Sequence, residues 1–380
     1  MKMKWKIPLY KVLNDYEDVK SVTKVIRRGM DWAIGPEIES FEKKLAKYVG
    51  SKYCVSFNSG TSAGHAALLA LKINAGSEII VPSFSFIATA NWALMVNGIP
   101  KFADIEYDRF GLDPSDVKSK ISNKTGAIIP IHYAGLPCKI EEIMRYAKKK
   151  KIPIIEDAAE SLGSSIKKQK VGTFGDVGIF SFAGNKVLTS GEGGAVVTNS
   201  KKTFERLQLI RSHGRLKNED YFQTNEKPNY IELGYNWRMS SLTAALAESQ
   251  LKKIDDLIKK RRNNAKFMMR RLSKHKEIKF MNEEKGTKHV FQLFTILMDT
   301  NDLRFKLSKF LTKKGIMTKI FFDPIHKSKF YQNRFSIKLN NTEDISSRVI
   351  SLPMYPELTK REMNYICDSV DEFMENEKCY

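Results

Sequence analysis

Between about residues 50 and 200, short apolar runs alternate with amphipathic stretches, and this alternation constrains the fold more than any other feature. The runs are "YCVSF" (53–57), "EIIVP" (78–82), "PKFADI" (100–105), "AIIPIH" (127–132), "IPIIED" (152–157), "VGIFSF" (177–182) and "GAVVT" (194–198). Helical pieces such as "TSAGHAALLALK" (61–72) and "KIEEIMRYAKKK" (139–150) lie between them. A strand that is apolar along its whole length is covered on both faces, so the pattern predicts a mostly parallel sheet sandwiched by helices. Ligands of such sheets gather beyond the carboxyl ends of the strands, which is where chemistry is to be sought.

After about residue 200 the pattern changes. The stretch 240–272 reads as one or two long helices, "VFQLFTILM" (290–298) as a strand, 302–315 as a helix stopped by Gly315, and 360–376 as a final helix. The division expected is a large α/β domain over 1–250, N-terminal segment included, and a smaller α+β domain over 251–380. No run of about 18 apolar residues is present, so no membrane span is expected. The amino terminus lacks the apolar core of a signal peptide. Cys54, Cys138, Cys367 and Cys379 are far apart and form no CxxC pair, which argues against disulfides and a metal site and fits a reducing cytoplasm. The net charge is +21. Its basic residues are dispersed, without interleaved aromatics, as on a solvated surface rather than a nucleic-acid site, although the field could attract a small anion.

Four features sit at the strand ends. In "FNSGTSAGHAAL" (57–68), a strand runs into a small-residue turn at a helix start. Gly60 permits close backbone approach and Thr61 or Ser62 adds a hydroxyl, which suits either an anion or an ordinary N-cap. In "VPSFSFIATA" (81–90), Phe84 and Phe86 are core residues or, for one of them, a face against a flat ring. "IIEDAAESLGS" (154–164) ends a buried strand with Glu156, Asp157 and then Glu160; Asp157 is a helix cap or the partner of a protonated ring nitrogen. In "SFAGNKVLTSGEGGAVV" (181–197), Lys186 stands among residues too small to crowd it. A partly desolvated lysine near cationic or dipolar groups becomes a usable nucleophile and base. Together the four describe one cofactor, pyridoxal 5'-phosphate, with its phosphate, flat ring, pyridine nitrogen and aldehyde.

The sequence also resembles the DegT/DnrJ/StrS family of pyridoxal-phosphate-dependent sugar-nucleotide aminotransferases. The resemblance runs through "GPEIESFEKKLAKYVGSKYCVSFNSGTSA" (35–63), 81–114, "IIPIHYAGLPCKIEEI" (128–143), 155–198 and "LGYNWRMSSLTAALAESQL" (233–251). "EDAAES", "SF.GNK..T.GEGG" and "FFDPIHKSKFY" (321–331) are most similar to the branch acting on 4-keto-6-deoxy sugars. It implies a fold type I aminotransferase with a seven-stranded, mostly parallel sheet, a smaller α+β C-terminal domain and a homodimeric active site. By position it makes Lys186 the Schiff-base lysine, Asp157 the pyridinium partner, Phe86 the stacking ring and Glu160 a neighbour of the ring hydroxyl. Gly60, Thr61 and Ser181 would hold the phosphate, Asn236 would reach it from the other subunit, and His326 would lie near the sugar. The implied reaction moves the amino group of glutamate to a nucleotide-linked 4-keto-6-deoxy sugar, giving a 4-amino-4,6-dideoxy, perosamine-type product and 2-oxoglutarate. A 3-keto sugar or a cyclitol is the alternative substrate, and a non-enzymatic basic regulatory protein the alternative from another class.

Overall fold

The computed structural model describes residues 5–215, 227 and 229–378. Cys379 therefore lies outside the described residues. Seven strands form the centre: β1 (Tyr53–Phe57), β2 (Glu78–Pro82), β3 (Ile99–Ala103), β4 (Thr125–Ile128), β5 (Ile155–Asp157), β6 (Val177–Ser181) and β7 (Gly194–Thr198). β2 pairs in parallel with β3 and β4, and β5 with β6. β7 runs antiparallel between β6 and β1. Parallel bridges Ile128–Ile154 and Ile131–Asp157 join the halves, giving the order β3-β2-β4-β5-β6-β7-β1 with β7 alone reversed among them.

The pleat explains why these strands are apolar throughout. Successive side chains point to opposite faces. Ile79 and Val81 enter one core with Val55, Ile155, Ile179 and Val196, while Ile80 enters another with Ala103, Ile128 and Ile154. Both faces are covered over most of the sheet, Ile99 at the start of β3 being exposed.

The stretch 240–272 forms two helices, Ser241–Lys252 and Ile254–Leu272, broken at Lys253. The second changes cores along its length. Ile254, Leu257 and Ile258 pack with the first helix and the large sheet, whereas Ala265, Met268 and Leu272 pack against a three-stranded antiparallel sheet of Ile278–Phe280, Phe294–Met298 and Val349–Leu352. The apolar handover thus falls beyond Ile258. The stretch around Ile7 and Leu9 joins this second core: Ile7 packs there and bridges Ile316, and Leu9 accepts a hydrogen bond from Met354 N, whereas Leu13 already packs with the helices of the large sheet.

Glu156 fixes the approach to the site. Its buried carboxylate accepts from the amides of Gly172, Phe174 and Gly175 at 2.7, 2.6 and 2.7 Å, and from His132 Nε2 at 2.9 Å. His132 Nδ1 in turn accepts from Cys138 N at 3.1 Å. One side chain therefore ties the loop before β6 to the end of β4. Glu156→Ala strands one buried and two part-buried amides together with the ring N–H of buried His132, and a loss of about 3–5 kcal/mol in denaturant unfolding is expected. A loss below about 1 kcal/mol would mean that water or neighbouring groups satisfy the loop.

Candidate active site

Asp157 closes β5 and is only 4% exposed. Its Oδ2 accepts from the Thr89 hydroxyl at 2.7 Å and its Oδ1 from Ala159 N at 3.2 Å. The Thr89 hydroxyl also meets Ser85 Oγ at 2.7 Å. No helix follows, because residues 158–164 are turns, so the helix-cap reading of Asp157 is not realised. Burial pushes the Asp157 carboxyl above the usual carboxylate range, opposed by the bonds from Thr89 and Ala159 and by the charges of Lys186 and His132.

Lys186 lies in the loop between β6 and β7, its side chain 15% exposed and its Nζ 3.7 Å from Glu160 Oε1. The loop is pinned by Phe182 N to Gly193 O and by Ser190 N to Phe182 O. Glu160 Oε2 accepts from Ala134 N at 2.8 Å. Burial pushes this carboxyl up too, against the pull of Lys186 and the Ala134 amide. The charged group set against the amine is therefore a carboxylate. Ala134 holds a left-handed φ of 55°, a conformation that costs a non-glycine residue about 1–2 kcal/mol and aims its N–H at Glu160.

Beside this pair the backbone forms a cup. Gly60 opens the helix Gly60–Ala70, and Ser59 caps it by accepting from Ser62 N. The first-turn amides of Gly60 and Thr61 have no acceptor within the helix and face outward with its positive end. A Cβ on Gly194 would lie 2.4 Å from Ser59 O, and one on Gly60 3.1 Å from the Ser181 Cβ. The helix start, the end of β6 and the start of β7 approach so closely that side chains are excluded, while the Ser181 hydroxyl remains at the rim. An anion the size of a phosphate suits such a cup.

The two phenylalanines part company. Phe84 is wholly buried against Phe110, Tyr133 and Phe322, whereas Phe86 is 60% exposed, its ring 6.3 Å from that of Phe322. Asn236 is exposed, bridges Ser212 through its backbone and forms no hydrogen bond with the Lys186 group among the described residues. His326 is not brought into the group either. It is buried, with Nδ1 2.7 Å from Ser83 Oγ and Nε2 3.2 Å from Glu343 Oε1. Both ring nitrogens are engaged, so it braces the end of β2. No metal-binding cluster occurs among the described residues.

Sequence reasoning missed Thr89 and His132. Thr89 carries no signal in "FIATANW". His132 does, as a histidine at the end of a buried strand.

The sequence model of the DegT/DnrJ/EryC1/StrS aminotransferase family matches residues 13–371. GDP-perosamine synthase of Escherichia coli O157:H7 is 36% identical over 89% of this chain and 90% of its own. GDP-perosamine synthase of Vibrio cholerae is 32% identical over 97% of this chain and 99% of its own. The structure of Helicobacter pylori PseC, an aminotransferase involved in pseudaminic acid biosynthesis, superposes with a TM-score of 0.90 at 30% identity, covering 99% of this chain and 100% of that one.

The raised carboxyl of Asp157 has a consequence for stability. A group whose pKa is higher folded than unfolded leaves the fold unpenalised below the ordinary value of 3.8 and weakens it as pH rises through the folded value. Asp157→Asn removes that penalty. In thermal unfolding of the cofactor-free protein the variant is expected to melt higher than the parent at neutral pH, with the gain vanishing towards pH 4. A pH-independent difference would contradict it.

Proposed function

The chain belongs to the DegT/DnrJ/EryC1/StrS aminotransferase family and is a sugar aminotransferase, and we propose that it aminates a nucleotide-linked 4-keto-6-deoxy sugar with glutamate as donor, using pyridoxal 5'-phosphate. Members of this family depend on that cofactor. The observation that carries the reading is the part-buried Lys186 amine 3.7 Å from buried Glu160, three residues past buried Asp157, with the helix start at Gly60 packed on Ser181 at the end of the strand that leads to Lys186. The names of the perosamine synthases support the sugar class.

The bound cofactor supplies an aldehyde that captures amines and a ring that accepts the electron pair freed when a C–H bond breaks. The amides of Gly60 and Thr61 and the hydroxyl of Ser181 would hold its phosphate. Asp157 keeps the ring nitrogen protonated through a charge-assisted hydrogen bond, and Thr89 keeps the carboxylate in place. Phe86 would cover one face of the ring, and Glu160 would stand near its hydroxyl. Lys186 would take the α-proton of glutamate, which leaves as 2-oxoglutarate once water has replaced its amino nitrogen with oxygen, and would later deliver a proton to the sugar carbon. The ketone oxygen departs as water, and the nitrogen lost by glutamate ends on the sugar. The small neighbours of Lys186 let one side chain serve both half-reactions.

In a homodimer, exposed Asn236 would reach the phosphate held by the other copy. In this reading the cofactor platform is the large domain expected over 1–250, less the stretch around Ile7 and Leu9 and with Ile254–Ile258 added, and the remainder of 251–380 is a smaller C-terminal domain. Cys54, Cys138 and Cys367 are free and buried, which supports a reducing cytoplasm. No helix among the described residues is long and apolar enough to cross a membrane.

Glutamate-dependent amination of GDP-, UDP- and dTDP-linked 3-keto and 4-keto sugars tests the proposal. A GDP-linked 4-keto-6-deoxy sugar is expected to have the highest kcat/KM, and Lys186→Ala to lose at least about a thousandfold in kcat. Preference for a 3-keto sugar refutes the substrate class, and activity of Lys186→Ala within about tenfold of the parent refutes the role of the lysine.

A further inference from the structure

Lys186 is steadied by a residue from the C-terminal part of the chain. Gln292, 3% exposed, donates from Nε2 to the carbonyl of Asn185 at 2.7 Å, one residue before the lysine. Gln292 is itself anchored. Buried Arg261 donates from Nη1 to the carbonyls of Phe291, Gln292 and Met354 at 3.1, 3.3 and 3.2 Å. The same segment grips the other side of the Lys186–Glu160 pair. Val290 N donates to Gly135 O at 3.0 Å and Leu293 N to Ala134 O at 3.3 Å, and the Ala134 amide holds Glu160. Gly135 has φ +95°, and a Cβ there would lie 2.6 Å from Val290 Cγ2 and 3.1 Å from Gln292 N. Residues 290–293 therefore brace both members of the pair.

The carboxamide is buried at a cost, because its Oε1 has no partner among the described residues. An aliphatic side chain would fill this space without that cost, so the single bond to Asn185 is the physical reason for an amide here. We propose that Gln292 is a positioning residue for amino transfer: by fixing the Asn185 carbonyl it sets where the Lys186 amine stands relative to Glu160 and the reacting carbon. The proposal rests on the reading of Lys186 as the proton carrier.

Two variants test it in the full-length protein. Gln292→Leu keeps the volume and deletes the donor. Gln292→Glu keeps the shape but sets an acceptor against the Asn185 carbonyl, until protonation restores an O–H donor. For Gln292→Leu, kcat is expected to fall about ten- to a hundredfold with KM within about threefold, the loss that a misplacement of about 1 Å brings. Hydrogen exchange over residues 183–188 should quicken about tenfold while that of the central strands is unchanged. Gln292→Glu should match Gln292→Leu at neutral pH and approach the parent as pH falls. A kcat within about twofold of the parent, or a loss of kcat without faster exchange, overturns the proposal. Should Gln292→Leu fail to fold, a Gln292→Glu pH profile parallel to the parent's overturns it alone. Exchange over 183–188 reports the clamp whether or not Lys186 carries protons, so a wrong reading of the lysine is told apart from a wrong reading of Gln292.

Discussion

Asp157 and Glu160 are buried carboxylates three residues apart with one amine, that of Lys186, between them and the small-residue loop. Withdrawing two carboxylates from water is costly, and among the described residues the interior supplies a hydroxyl, two backbone amides, one ammonium and the more distant charge of His132 in return. A fold optimised for stability alone would place apolar side chains at the ends of β5. That it instead maintains this imbalance, with a left-handed Ala134 to serve Glu160, marks the place where stability is given up for chemistry.

The rest of the architecture holds that imbalance steady. Glu156, next in sequence to Asp157, points the other way and fastens the loop before β6. The glycines at 60 and 194 bring three backbone segments within contact distance, so the anion cup is made of main chain and needs no long side chain. The C-terminal sheet sends residues 290–293 against both Lys186 and Glu160, which ties the second hydrophobic core to the site in the first.

Much of this was legible in the sequence, for physical reasons that can be named. β1, β2 and β7 occupy the runs read from the apolar pattern, because two-sided burial keeps most of each strand apolar. β4 and β5 are shorter than expected. Pro130 and Pro153 lack the N–H a ladder needs, and regular pairing stops near them. Lys186, Asp157 and Gly60 stand out because few chemistries need those residue types at strand ends. Thr89 and Gln292 do not stand out, since a hydroxyl or carboxamide means something only once its partner is known. The union of Ile7 and Leu9 with the C-terminal core was equally hidden, as it joins segments some three hundred residues apart in sequence.

The central claim is that the amine of Lys186 and the carboxylate of Asp157 face opposite ends of one pyridoxal phosphate ring. Borohydride reduction of the pyridoxal-phosphate-loaded protein, followed by digestion and peptide mass mapping, tests it most directly. The account predicts one reduced cofactor per chain, on the peptide carrying Lys186, and none when that residue is alanine. A label on any other lysine, or none in a protein that still transfers amino groups, would contradict it.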